Sequence, residues 1–311
     1  MAKAAIVIVC MNNLKNLFPC LDSIKEHTKI SYEVWVVAYL FSKGNLKLLR
    51  EKYPWVIVVE SNEIRGFSEN NNLALRQVQT EYTLVLNDDT LFKEPVLDEL
   101  VDAMEKTPEA KVMSPYIQNL DGSKQFNGRN PRRWFDFILG DSFGVNLDMK
   151  PSKYVDQNGI YQTYNLMGAC FLIKQDYFRS LNFFDEYYFF CPEDIALSTL
   201  INQKGDECYV DAESKVVHLG GGTRISPVKV ATLPAARKGG VYFYSQNIWW
   251  KKFILSSVII VFSMLKMIYF ATIKRNKIEF LAQWHSIIAM FSYKTPKELF
   301  TKFYLDLKNK K

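Results

Sequence analysis

Two carboxylates, Asp88 and Asp89, stand side by side at the end of the strand-like run Tyr82–Asn87 in EYTLVLNDDTLF. Like charges that close raise each other's pKa, so the pair calls for a positive partner. A hard divalent cation, Mn2+ or Mg2+, suits such oxygen ligands and is often completed by substrate phosphates. Bound there, it would hold a diphosphate and stabilise it as a leaving group. A turn or helix cap is the structural alternative for a single Asp. Two of them, directly after an apolar strand, favour a ligand site. A second acid pair, Glu193–Asp194, follows Pro192 and opens a helical pattern in FFDEYYFFCPEDIAL. Such acids can serve as first-turn dipole partners, or one can act as a general base toward an attacking hydroxyl. The aromatic run Phe183, Phe184, Tyr187, Tyr188, Phe189 and Phe190 could line a sugar pocket there or belong to a core. The third feature is HLGGGTR, His218–Arg224, where glycines allow close backbone approach to a ligand and His218 could contact a metal or a phosphate.

The elements that must position these groups read as alternating strands and helices. Ala4–Met11, YEVWVVAYL, WVIVVES and YTLVLN are continuous apolar runs, and LKNLFPCLDSIKEH and NLKLLREKY have helical spacing. Continuous rather than alternating apolarity fits strands covered on both faces. The expectation is an α/β fold, a Rossmann-like mostly parallel sheet flanked by helices. In such sheets ligands bind beyond the carboxyl ends of the strands, where Asp88 and Asp89 fall.

The chain has 311 residues, of which 48% are hydrophobic and 14% aromatic. Five cysteines with no paired spacing argue against a disulfide framework and fit a reducing cytosol. MAKAAIVIVC reads as a first strand rather than a signal peptide. From Arg237 onward, 14 Lys+Arg face 3 Asp+Glu, a net of +11, whereas the preceding residues hold 25 against 30, a net of −5. A basic tail on an acidic body suits an anionic surface, and no aromatic-and-basic nucleic-acid module accompanies it. The division expected is residues 1–236 as a catalytic domain and 237–311 as a helical extension.

The order LNDDT, MGACFLIK, FDEYYFFCPEDIAL, VVHLGGGT resembles the family 2 glycosyltransferases of GT-A fold, in particular a bacterial rhamnosyltransferase-like branch that builds cell-surface polysaccharide. The resemblance runs from about Ala4 to Thr223. It implies an inverting, metal-dependent hexosyl- or rhamnosyltransferase with Mn2+ or Mg2+ bound by Asp89 and His218, the second of these in an H-x-x-G segment ending at Gly221. It implies Asp194 as catalytic base beside Glu193. It places Asn12, Tyr39, Asn62, Arg65, Gly66, Asn70 and Asp88 on a dTDP- or UDP-sugar donor. MGACFLIK would form the acceptor-side wall, and the acceptor would be a glycan or a lipid-linked glycan, met by a cytoplasmic enzyme peripheral on the inner face of the cell membrane. The sequence departs from the family in VVAYL, where Ala38 and Tyr39 replace the base-reading Asp and Tyr39 stacking could substitute. It departs also in the opening CMNN and at Ala196. A sugar nucleotidyltransferase is the competing enzyme reading, but CMNNLKNL lacks the Gly-rich loop it needs. An inactive glycan-binding protein is the non-enzyme alternative.

In the tail, 21 residues separate Lys252 from Lys274. As a helix they would be about 31 Å long, enough to cross a bilayer. Lys252, Ser256, Ser263, Lys266 and Lys274 recur at helical spacing, predicting a polar stripe on a helix lying in the membrane interface with lysines turned to head groups. Packing on the core, or homo-oligomerisation through these helices, is the alternative.

Overall fold

The computed structural model describes residues 2–125, 127–145, 152–220 and 228–308. The chain forms two compact units. The first comprises Met1–Pro131, Asp148–Asp185 and Asp194–Gly220; the second comprises Arg132–Leu147, Glu186–Glu193 and Gly221–Lys311.

Nine strands of the first unit make one sheet: β1 (Ala4–Met11), β2 (Tyr32–Tyr39), β3 (Val56–Ser61), β4 (Tyr82–Asn87), β5 (Thr90–Phe92), β6 (Val112–Gln118), β7 (Ile160–Thr163), β8 (Cys170–Lys174) and β9 (Cys208–His218). Their order is β3-β2-β1-β4-β8-β6-β9-β5, with β7 beside β9. The helices in chain order are α1 (Leu14–His27), α2 (Lys43–Lys52), α3 (Phe67–Leu75), α4 (Val96–Lys106), α5 (Trp134–Phe143), α6 (Gln175–Ser180) and α7 (Glu193–Gln203), with α5 in the second unit.

Side chains alternate along a strand, so a strand buried on both faces must be apolar throughout. In β1, Ala4, Ile6, Ile8 and Cys10 face one core with Leu17, Leu21 and Ile24 of α1 and Leu97 and Leu100 of α4. Ala5 and Val7 face the other, with Leu75 of α3, Phe178 of α6 and Leu197 and Ile201 of α7. The expected α/β architecture is therefore present. The sheet is more mixed than the runs alone indicated: β1–β2, β1–β4, β2–β3 and β6–β9 pair parallel, and β4–β8, β5–β9, β6–β8 and β7–β9 antiparallel. The five cysteines are free thiols.

The second unit joins α5 to α8 (Lys229–Ser245), α9 (Trp249–Thr272), α10 (Lys277–Phe291) and α11 (Pro296–Lys308). Val241, Tyr244, Leu255 and Ile259 form its apolar centre against Phe137 and Met290. A Cβ at Gly240 would stand 2.5 Å from the Phe137 ring, so glycine permits α5 and α8 to close. Beside this centre lies a buried polar cluster. Arg237, 3% exposed, donates to Asp141 Oδ1 (2.9 Å), Ser263 Oγ (3.0 Å) and Gln283 Oε1 (2.9 Å). Lys266 Nζ donates to the Asp141 carbonyl at 3.0 Å. The polar stripe expected to face head groups is thus turned inward at Ser263 and Lys266. The reason is Arg237 and Asp141, whose buried charges require partners.

Candidate active site

The sheet register brings the separated motifs together. After β4 the chain turns through Asp88 and Asp89, and the Thr90 hydroxyl closes the turn on the Asn87 carbonyl at 2.8 Å. β5 then pairs antiparallel with the end of β9, placing Thr90 opposite His218, and Leu219 N–H donates to the Asp89 carbonyl at 2.9 Å. His218 Nε2 consequently lies 3.2 Å from Asp89 Oδ1.

The His218 tautomer follows from its other nitrogen. Gln125 Nε2 donates to the His218 carbonyl (2.5 Å) and to Asn119 Oδ1 (2.8 Å), which fixes the amide with Oε1 toward His218 Nδ1 at 2.9 Å. Nδ1 therefore donates to Gln125, and Nε2 faces a carboxylate oxygen, with Asn87 Nδ2 3.5 Å away. A proton on Nε2 or a cation between the two groups satisfies the pair. Their 3.2 Å separation is close to the cis edge, about 3.0 Å, of an octahedron with ligands at about 2.1 Å. Among the described residues, no group of three or more His, Cys, Asp or Glu side chains gathers as a metal cage. The donor set present fits a Mn2+ or Mg2+ that takes its remaining ligands from phosphate and water.

Asp88 sits alongside. Burial pushes its carboxyl up to about 6, the Cys10 thiol opposes this by hydrogen bonding, and the Asp89 charge adds to the rise. Burial also pushes the Cys10 thiol up, with the Asp88 charge adding to it, so the thiol stays protonated.

Asp194 is carried to the same part of the first unit. Asn87 N–H donates to the Ala169 carbonyl at 2.9 Å, just before β8 runs antiparallel to β4. The adjacent Gly168 N–H donates to Asp194 Oδ2 at 3.2 Å. Arg129 Nη1 pairs with the same oxygen at 2.8 Å, and both side chains are largely buried. Asp194 Oδ1 accepts from Ile195 N–H at 2.8 Å. Glu193, in the first turn of α7, accepts from Cys191 N–H at 2.5 Å and so braces the preceding loop.

The other residues assigned to the donor sugar nucleotide lie just after β1, at the end of β2, and between β3 and the first turns of α3. Asn12 has φ +51° and its Oδ1 accepts from Ser42 N–H (3.0 Å) and Asn45 Nδ2 (2.9 Å). Asn62 is exposed after β3. Arg65 reaches Ser61 Oγ at 3.3 Å and Glu63 at 2.7 Å, while its N–H donates to the Tyr39 hydroxyl at 3.3 Å. Tyr39 is 6% exposed, so its present role is to support the Arg65 backbone. Gly66 caps α3, its N–H donating to Glu69. Asn70 is buried and clamps this loop, donating to the carbonyls of Arg65 (3.2 Å) and Gly66 (3.0 Å) and accepting from Ser61 Oγ (2.6 Å). Gly221 and the rest of the glycine run to Arg224 lie outside the described residues.

The aromatic run divides. Phe183 and Phe184 join the core of the first unit around Phe178, while Tyr187 packs on Tyr242 and Phe189 stacks on Phe300 within the second. Three groups escaped the sequence reading: Gln125, Arg129 and the Gly168 N–H. MGACFLIK was singled out as a unit, and its glycine was the available signal for a close backbone approach.

The sheet order, with its acid turn at the end of β4, is that of the GT-A glycosyltransferases. GalNAc-T7 bound to UDP, GalNAc and Mn2+ superposes with a TM-score of 0.56 at 17% identity over 79% of this chain, which spans half of that structure's length. S. aureus TarS 1–349 gives 0.56 at 13% identity, covering 96% of this chain and 82% of that one. The mannosyltransferase PcManGT of Pyrobaculum calidifontis, with GDP-Man and Mn2+, gives 0.52 at 15% identity over 93% and 86%. Residues 5–181 match the model of Glycosyl transferase family 2, and the chain belongs to that family. A curated relative, rhamnosyltransferase WbbL of Escherichia coli K12, is 25% identical over 202 residues, 62% of this chain and 73% of its own. The chain is thus a glycosyltransferase by family, in keeping with the resemblance its motifs carry.

Proposed function

We propose that this glycosyltransferase moves a sugar, with inversion, from a dTDP- or UDP-sugar to a hydroxyl of a lipid-linked glycan during cell-surface polysaccharide synthesis, working at the cytoplasmic face of the membrane. The observation that carries the reading is a short relay of two hydrogen bonds. Asn87 N–H holds the Ala169 carbonyl at 2.9 Å, and Gly168 N–H holds Asp194 at 3.2 Å. One dipeptide thereby joins the Asp88–Asp89 turn to the carboxylate assigned as base.

Asp89 and His218 would hold the Mn2+ or Mg2+, which when bound neutralises charge on a departing diphosphate. Asp194 removes the proton from the acceptor hydroxyl. Arg129 and Gly168 keep its carboxylate in one orientation. Asn70, Ser61 and Tyr39 hold the loop from which Arg65 reaches the nucleotide. The rhamnosyltransferase relative supports a deoxyhexose or hexose donor, and the UDP and GDP-Man bound to the two neighbours support a nucleoside diphosphate carrier.

Calorimetry and turnover on two variants test this. Asp89→Asn should lose Mn2+-dependent binding of UDP or dTDP. Asp194→Asn should keep that binding and lose transfer by about 10²- to 10⁴-fold. Normal turnover by Asp194→Asn would remove the base, and unchanged nucleotide binding by Asp89→Asn would remove the metal role.

A further inference from the structure

Helix α9 has the length and apolar composition to cross a membrane, yet only Leu255, Ile259 and Ser263 of its residues are buried. Its outward side is as apolar as its packed side, unlike a helix of a soluble bundle. Leu255, Ile259 and Ser263 face inward, and Lys266 is tied to Asp141. The outward face presents Phe253 (68% exposed), Val261, Met264, Leu265 (56%) and Ile268 (62%), the last four spaced 3, 1 and 3 apart as one helical stripe. Exposed large apolar faces of this kind mark interaction surfaces. Ser263 of α9 joins Arg237, Asp141 and Gln283 in the buried polar cluster, while the apolar side chains of α9 divide between the packed centre, at Leu255 and Ile259, and the outward stripe.

We infer that the outward face of α9 is a membrane-docking surface that lies in the plane of a bilayer bearing anionic lipid. Three observations select this occupant. First, the flanks are basic: Lys251, Lys252, Lys274, Arg275 and Lys277 surround the stripe, and no Asp or Glu occurs from Ile248 to Ile278. Such charges complement phosphate head groups. A second copy docking on the same face across a two-fold axis would set these cations against one another. Second, Trp249 and Trp250 begin the helix, and Trp favours the boundary between head groups and acyl chains. Third, the packing of α9 decides between lying and spanning. Its inner side is covered by α5, α8 and α10. α10 and α11, of 15 and 13 residues, are shorter than the roughly 20 a spanning helix needs. Of α9, α10 and α11, α9 exposes the most large apolar side chains, α10 adding Ile278, Trp284 and Phe291.

The inference deepens the membrane reading of the proposed function by naming the face, and it is separable from sugar transfer. The test uses the full chain, sucrose-loaded vesicles of phosphatidylcholine with or without phosphatidylglycerol, and centrifugation. The wild type should pellet with anionic vesicles and less with neutral ones. Leu265→Glu/Ile268→Glu should weaken binding about tenfold per residue. Leu48→Glu, at an exposed leucine of α2, should leave it unchanged. Melting followed by circular dichroism reports folding without reference to donor binding, so failure of docking and failure of the transferase reading are told apart. Three results would overturn the inference: a wild type that stays in solution with both vesicles, a double variant that pellets like wild type, or light scattering showing a dimer that the double variant dissociates. Retention in cell membranes after alkaline carbonate would make α9 a spanning helix and overturn the in-plane assignment.

Discussion

At the scale of single residues, the site depends on which nitrogen of His218 keeps its lone pair, and Gln125 decides it. Replacing Gln125 with Leu should let both imidazole tautomers populate and weaken Mn2+ binding by about 10- to 100-fold. Imidazole 15N chemical shifts would show the tautomer mixture, and titration calorimetry the affinity. Gln125→Glu keeps an acceptor for Nδ1 and should restore the tautomer; if Gln125→Leu has wild-type shifts, the residue does not position the ring. Asp88 gives a second prediction. Burial raises its folded pKa to about 6, above its unfolded value near 3.9. Its contribution is therefore favourable below about pH 4 and is lost as pH rises through about 6. In EDTA, Asp88→Asn should be more stable than wild type at pH 7.5, by on the order of 2 kcal/mol, with the gain gone near pH 4. Urea denaturation at the two pH values measures it, and equal stability at both would refute it. The acids and His218 stood out in sequence because few residue types can do the chemistry proposed for them. Gln125 and Arg129 were not. Their roles come from partners 93 and 65 positions away, and neither residue type is diagnostic alone.

At the scale of elements, local pattern reveals a strand or helix, while the sheet decides what it stands beside. The β1-to-β4 alternation was readable because β1, β2 and β4 are largely buried and therefore apolar, and the edge strand β3 keeps the apolar run Val56–Val59. The pairing of Thr90 with His218 was not, since nothing local encodes a register between such distant strands. The same limit applies to α9. Periodicity finds its polar stripe, but only Arg237 and Asp141 show which way that stripe turns. Gly168, which opens the approach to β8, gives the prediction proper to this level. A Cβ there would lie 3.3 Å from Asp194 Cβ, tighter than ordinary contact. Gly168→Ala should shift the base by a few tenths of an ångström and lower kcat by about 10- to 100-fold while UDP binding and Tm stay near wild type. A kcat equal to wild type would mean that this backbone does not set the base.

At the scale of the whole molecule, the boundary read from sequence near residue 236 falls inside α8, a single helix from Lys229 to Ser245. The second unit is also assembled from three separate stretches of chain, Arg132–Leu147, Glu186–Glu193 and Gly221–Lys311. Composition could report the charge change at Arg237 but not the two earlier segments, which carry no such bias. This discontinuity determines how the tail can be studied. A chain ending at Asn247 would leave Phe137 on Tyr244 but remove Leu255, Ile259 and Met290 from the apolar centre, and would strip Phe189 of its stacked partner Phe300. Uncovering several large apolar side chains costs about 1.5 to 3 kcal/mol for each one fully exposed. The truncated chain should therefore bind 8-anilinonaphthalene-1-sulfonate more strongly than the full chain, lose helix beyond the residues deleted, and self-associate in light scattering. Its failure to bind vesicles would then report damage as much as lost docking, whereas Leu265→Glu/Ile268→Glu alters only side chains already exposed. If the truncated chain is monomeric, with helix content reduced only in proportion to its length, the three stretches do not depend on one another for folding, and the tail is the separable extension that the charge asymmetry implied.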